Sequence, residues 1–158
     1  MYQFRTVTED DFPAICDLIT NEEELFLVYP SGKFPLTVEQ LRELAEKRKQ
    51  LTVATDGVSV VGFANFYDLE PGRSVFIGNV VVAKTHRGRG LGRLLVTEMI
   101  NKAFGSYDLP EVRLSVFGGN NRALLLYAGL GFVPYQIDQR LNAEGKRLAL
   151  IHMRLYRH

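Results

Sequence analysis

The sequence predicts an α/β (α+β) domain whose elements run β-α-α-β-β-β-α-β-α-β-β. Three observations carry that expectation. The first is Val80–Leu95, VVVAKTHRGRGLGRLL, which is strand, glycine loop and helix in turn. Val80, Val81, Val82 and Ala83 suit a strand buried on both faces, and Leu91, Leu94, Leu95, Met99 and Ala103 recur at helical spacing. The second is Asp56-Gly57 between Leu51–Thr55 and Val58–Tyr67, a strong hairpin signal. The third is a closing pair of strands, Phe132–Gln139 and Lys146–Tyr156, joined across Asn142–Gly145.

Taken in order, Tyr2–Val7 alternates and reads as a first strand. Thr8 can cap a helix, with Glu9, Asp10 and Asp11 favourably placed in its first turn. Phe12, Ile15, Cys16 and Ile19 form the apolar stripe of that helix, so Cys16 is a small core residue rather than a reactive thiol. Asn21–Leu36 is the least regular stretch, with a carboxylate run (Glu22, Glu23, Glu24), three aromatics and two prolines. Thr37 followed by Gln40 makes a capping box that opens a helix to about Lys49. Pro71-Gly72 marks a turn, and Ser74–Ala83 is apolar on both faces, hence central. Gly78 and Asn79 interrupt it, which points to a bulge or a close backbone approach. The helix from Gly90 runs to about Phe104 with Gly105 as terminator, and Val112–Phe117 is a strand. Gly118-Gly119 then precedes a further helix.

Composition narrows the function classes. Residues 1–158 are most simply one domain, 46% hydrophobic and 23% charged, ordinary for a soluble globular protein. Nineteen basic residues against eighteen acidic ones leave a net charge of +1, which gives no sign of nucleic acid or an anionic membrane surface as partner. No apolar run reaches the roughly 20 residues of a membrane span, and MYQFRTVTEDDF lacks a signal-peptide core. One cysteine excludes an intrachain disulfide and a cysteine metal site, and no metal is expected. A cytoplasmic location is the economical expectation.

Chemistry concentrates in the glycine loop. Glycines let backbone N–H groups converge on a ligand, a helix N-terminus adds unpaired donors, and Arg87, Arg89 and Arg93 add full charges. Such a device binds phosphate. A Walker loop would need Gly-Lys-Ser/Thr, which is absent, and a dinucleotide fingerprint would need a glycine where Arg93 stands. Arg87, Gly90 and Gly92 do fill Arg-x-x-Gly-x-Gly after a valine-rich strand, which resembles the pyrophosphate loop of the GCN5-related N-acetyltransferases.

A second motif supports that resemblance. Asn120–Phe132, NNRALLLYAGLGF, is similar to the family's Asn-x-x-Ala-x-x-Leu-Tyr-x-x-x-Gly-Phe signature, with Asn120, Ala123, Leu126, Tyr127, Gly131 and Phe132 at the fixed positions. Residues seven apart on a helix lie about 20° from eclipsed, so Asn120 and Tyr127 can address one groove with small Ala123 between them. The resemblance covers Val58–Phe132 and is only generic before that.

Several expectations follow from the resemblance. The fold would be a mixed, mostly antiparallel sheet of about seven strands with helices on both faces. Acetyl-CoA would be the cosubstrate, its pantetheine bonded by the backbone of Val80, Val81 and Val82. Arg87, Gly88, Arg89, Gly90, Leu91, Gly92 and Arg93 would hold its pyrophosphate, and Asn120 and Ala123 would lie along its arm. An acetyl group would pass directly to an amine on a small molecule, peptide or protein, with Asn21–Leu36 shaping the acceptor site. Dimers are frequent among such relatives, which leaves homodimerisation open. A non-catalytic acyl-CoA-binding module on the same fold is the alternative.

Tyr127 would be the catalytic acid for the departing thiolate. A free thiol has pKa about 8.5 and a tyrosine about 10, so the transfer is uphill by roughly 2 kcal/mol. The acceptor is harder. An amine of pKa near 10.4 is neutral in only about one molecule in 10³ at pH 7, a penalty of roughly 4–5 kcal/mol. Relatives recruit a carboxylate, often from the central strand, but here that strand offers Asn79. Glu22, Glu23, Glu24 and Glu111 are candidate bases, and His86, His152 and His158 fit no role more firmly.

Overall fold

The structure, a computed structural model, describes residues 1–158. Its seven strands are β1 (Gln3–Thr6), β2 (Lys49–Thr55), β3 (Val60–Glu70), β4 (Ser74–Val82), β5 (Glu111–Phe117), β6 (Val133–Leu141) and β7 (Arg147–Tyr156). They form one sheet in the order β1-β2-β3-β4-β5-β7-β6. Every neighbouring pair is antiparallel except β4 and β5, which run parallel. The mixed, mostly antiparallel sheet expected from the sequence is therefore present.

Helices cover both faces, as expected. On one, α1 (Phe12–Asp17), α2 (Glu22–Val28) and α3 (Val38–Lys47) pack Ile15, Leu25, Leu41 and Leu44 onto Val53, Phe63 and Val81. On the other, α4 (Leu91–Phe104) sets Leu95, Val96 and Met99 against Phe66, Val75 and Ile77. There α5 (Asn121–Gly129) adds Tyr127 to the same cluster. Cys16 is half-buried beside the first cluster, and burial pushes its thiol pKa up, which fits an inert core residue. No helix is long and apolar enough to cross a membrane.

Two local readings change. Asn21–Leu36 is less irregular than it reads, because Glu22–Val28 is a helix additional to the expected order. Asn21 caps it by accepting from the Glu24 N–H, and the three glutamates sit in its first turn, where the helix dipole favours negative charge. The Asp56-Gly57 hairpin is also longer than two residues. Asp56 Oδ1 accepts from both Val58 and Ser59 N–H, so pairing resumes only at Val60.

The irregularity that shapes the molecule lies in β4. Asn65 pairs with Gly78, yet Phe63 pairs with Val81, so β4 carries one extra residue between them. Asn79 absorbs it with φ +50°. Side-chain phase inverts across the bulge: Val75 and Ile77 face the α4 side before it, Val80 and Val82 after it. Beyond the bulge β4 leaves β5. Their pairing ends at Ile77–Leu114, while Ser115–Phe117 stay paired with β7 and Val81–Val82 with β3. The sheet is split from that point on.

At the far edge, Asp11 ties β1 to α1. It accepts from both Arg5 terminal nitrogens at 2.8 Å and from the Thr8 N–H at 2.8 Å. These bonds, Arg5 foremost, hold the Asp11 pKa at about 2. An unfolded aspartate titrates at about 3.9, so the stabilisation is fully present above pH ~4 and lost as pH falls through 2. With Arg5 half exposed, it amounts to roughly 1–2 kcal/mol. Asp11→Asn should lower unfolding stability by about that amount at pH 7, and urea titration at pH ~1.5 should show the difference largely gone.

Candidate active site

Where β4 and β5 part, a cleft of about 690 Å³ opens. Gly78–Val82 and Ser115–Phe117 form its two strand walls. Of the expected site residues it gathers Val80, Val81, Val82, Arg87, Gly92, Asn120, Ala123 and Tyr127. Gly88, Arg89 and Gly90 are exposed on the loop, Arg93 is exposed in the first turn of α4, and none of them lines it. Leu91 is buried against Ala54 and Val61, so its side chain anchors α4 in the core and leaves only its backbone for any ligand.

The glycine loop is shaped by dihedral need. Gly88 and Gly90 sit at φ +78° and +81°, the left-handed region, and an added Cβ would meet nothing within 4 Å at either. Glycine is required there by conformation, and the space beside it is open. Gly90 caps α4, whose first-turn N–H groups have no helical partners.

Arg87 is held from two sides: its Nε donates to the Val82 carbonyl at 3.1 Å, and its guanidinium pairs with Glu24 at 2.9 Å. Burial works against the Glu24 carboxylate, but hydrogen bonds from Thr20 and Arg87 outweigh it and keep its pKa low. Glu24 is thus an anchor for Arg87 and not a free base.

The other base candidates disperse. Glu22 and Glu23 are exposed, Glu111 is paired with Arg113 at 2.6 Å, and none of them lines the cleft. His86 faces Asp56 outside the cleft, and His158 is exposed at the terminus. Asn79 is committed to structure. It accepts from Asn65 at 2.8 Å and donates to the Val28 carbonyl at 2.7 Å, joining β3, β4 and the end of α2. A carboxylate could not make that donation, which explains an amide at this position.

Tyr127 projects from α5, which Asn120 caps by accepting from the Ala123 N–H at 3.3 Å. The ring is buried, edge-to-face with Phe132 at 6.1 Å. Burial, with a smaller contribution from Tyr67, raises its pKa to about 12. The phenol is fully protonated at physiological pH. The expected proton transfer to a thiolate in water would then be uphill by about 5 kcal/mol, more than the sequence alone implied. A thiolate formed in such a buried site would have its own pKa raised, which would narrow the gap.

One constellation was not legible in the sequence. His152 lies in the cleft with Nδ1 2.6 Å from Ser115 Oγ and Nε2 2.6 Å from Asp138 Oδ2. Ser115 and His152 are cross-strand partners of β5 and β7, and Asp138 comes from β6. Only strand register brings them together. Beside them Arg48 stacks over the Tyr67 ring at 4.2 Å, and its buried Nη1 has no hydrogen-bond partner.

Residues 12–132 match the acetyltransferase (GNAT) family model. The chain belongs to the GNAT acetyltransferase family. A probable spermine N(1)-acetyltransferase of Bacillus subtilis subsp. natto is 27% identical over 91% of this chain and 93% of that protein. An N-alpha-acetyltransferase RimI of Mycobacterium tuberculosis is 33% identical over 63% of this chain and 61% of that one. Among solved structures, a ribosomal-protein-alanine N-acetyltransferase from Brucella melitensis superposes with TM-score 0.80 at 22% identity, covering 98% and 99%. A Vibrio cholerae spermidine N-acetyltransferase in complex with CoA and spermine reaches 0.83 at 20% identity, covering 98% and 95%. The GNAT chain is accordingly an acetyl-CoA-dependent acyltransferase.

Gly78 tests the cleft wall. A Cβ there would lie 2.6 Å from Tyr67 Cδ1 and 2.7 Å from Arg48 Nη1, so Gly78→Ala must displace both side chains. Steady-state kinetics should show kcat/KM reduced by about 10-fold or more, and circular dichroism should show the fold retained.

Proposed function

We propose that this GNAT chain transfers an acetyl group from acetyl-CoA directly to an amine, with Tyr127 as the general acid. The observation that carries the proposal is the split between β4 and β5, with Tyr127 buried against the cleft it opens. Past Ile77 the β4 backbone has no partner on its β5 side, leaving donors and acceptors for a pantetheine arm along Val80, Val81 and Val82. The open space at Gly88 and Gly90, the start of α4 and the braced Arg87 fit a pyrophosphate. Arg89 and Arg93, exposed beside them, would add charge. Acetyl-CoA supplies the acetyl group as a thioester.

Tyr127 would give its proton to the departing sulfur, and the amine would attack the carbonyl carbon without an acyl-enzyme. Asn120 keeps its amide NH2 after capping α5, and Ala123 leaves room along the arm. Residues 1–158 would act as one domain, and a lone half-buried cysteine accords with the reducing cytoplasm.

Charge bears on the acceptor. Arg48 and Arg140 line the cleft without an ion pair, and Asp68 is the one lining carboxylate free of a salt bridge. A long polycation needs several carboxylates along its length, whereas an amine with a neighbouring anionic group suits these guanidiniums.

Two measurements test the proposal. Tyr127→Phe should lower kcat by roughly 10²-fold or more while the melting temperature holds, and unchanged kcat removes the assignment. Thiol release from acetyl-CoA should be faster, in kcat/KM, with a carboxylate-bearing amine or short peptide than with spermine. The reverse order would overturn the acceptor preference and leave the donor site standing.

A further inference from the structure

The cleft holds an acid, and its base has been missing. Ser115, His152 and Asp138 form a hydrogen-bonded chain from the cleft wall to the surface, with both bonds at 2.6 Å. Ser115 and His152 line the same cleft as Tyr127, and Asp138 does not. Exposure rises along the chain, from a His152 side chain at 13% to Asp138 at 39%. Tyr67 bridges the two sides of the site: its phenol is near enough to Tyr127 and to Ser115 to perturb or be perturbed by each.

Hydrogen-bond chemistry fixes the proton positions. The His152 bond holds the Asp138 pKa low, so Asp138 is ionised and can only accept. His152 Nε2 must then carry the proton donated to it. In a neutral imidazole Nδ1 is left bare, and it accepts from the Ser115 hydroxyl. A bare imidazole nitrogen fed by a hydroxyl at a cleft wall is a proton acceptor in waiting.

We infer that Ser115, His152 and Asp138 are the base side of the proposed transfer, a relay that removes the proton from the acceptor ammonium. The inference rests on the amine-acetylating function proposed above. An ammonium N–H bond breaks as its proton passes to Ser115 Oγ. The Ser115 O–H proton passes to His152 Nδ1, leaving the serine neutral and the ring an imidazolium. Asp138 stabilises that cation through the Nε2–H bond, and the proton is later lost to solvent on the exposed side of β6. No oxidant, metal or further reactant is needed. Ser115 is the catalytic residue of the three, since it alone would touch the amine; His152 and Asp138 act through it.

The groups facing the His152–Asp138 pair are Ser115 from β5, Tyr135, Gln136, Asp138 and the Arg140 guanidinium from β6, and Phe76 from β4. Arg113 and Arg154 lie across the Tyr135 ring. None of these except Asp138 is a carboxylate, so the imidazolium has one counter-ion and it is already in place.

His152→Gln tests the relay, because glutamine can bond both neighbours and cannot hold the extra proton. With acetyl-CoA and a primary amine of ordinary pKa, kcat at pH 7 should fall by roughly 10²-fold with CoA affinity unchanged. The deficit should shrink steadily towards pH 10, as the amine sheds its own proton. A deficit of constant size across that range would mean a structural role and overturn the relay, as would wild-type kcat at pH 7. Asp138→Asn, at a more exposed position, is the second variant and should show a smaller deficit with the same narrowing. A variant series in which Tyr127→Phe fails and His152→Gln works normally sinks the relay alone. Wild-type protein that releases no thiol with any amine sinks the proposed function and the relay with it.

Discussion

The extra residue in β4 is the constraint on which the site depends. A regular β4 would pair with β5 along its whole length and leave no cleft. The bulge inverts the side-chain phase of Val80–Val82 and turns the strand away from Ser115–Phe117. Its cost is an asparagine in the left-handed region and backbone groups without ladder partners. Asn65 and Asn79 offset it by bonding each other and the Val28 carbonyl inside the protein, so the distortion is fixed by α2 as well as by the sheet. Gly78, with Tyr67 and Arg48 packed where a Cβ would be, belongs to the same arrangement.

Helix α2 thereby acquires two tasks at opposite ends. Its C-terminal carbonyl at Val28 secures the bulge, and its Glu24 secures Arg87 at the loop. The salt bridge is largely shielded, with side-chain exposures of 30% and 16%. It orients the arginine while leaving the helix N-terminus and the other loop cations uncompensated. Negative charge near the loop is therefore a positioning device, and a phosphate would still meet net positive field.

The two motifs were legible because each is local. Loop glycines at φ +78° and +81°, and an N-cap three residues before Ala123, are properties of consecutive residues. The bulge was legible too, since a glycine-asparagine pair inside a valine-rich strand has few other readings. Helix α2 was hidden by its carboxylate run, which reads as a solvated loop until Asn21 is seen to cap it. Ser115, His152 and Asp138 were illegible for a deeper reason. They stand on three strands, 14 and 37 residues apart along the chain across the two bonds, and only the β5–β7–β6 register aligns them. A one-residue slip in either pairing would turn them to opposite faces.

On the proposed relay, that register also bears on the problem posed by Asn79. The central strand cannot offer a carboxylate, because the bulge requires a side chain that both donates and accepts. In the proposed relay basicity comes from the opposite wall, where β5 and β7 are the strands that the split leaves facing the cleft. His152 is the one histidine there, and its neighbours are already arranged in the order a proton would travel. On that reading the distortion that would make room for the donor also keeps a carboxylate off β4, and the base would stand on the far wall. With Tyr127 as the proposed acid on α5 and the proposed relay on the far strands, the two protons would be kept apart, which a direct transfer would need if thiolate and ammonium were to be neutralised in one encounter.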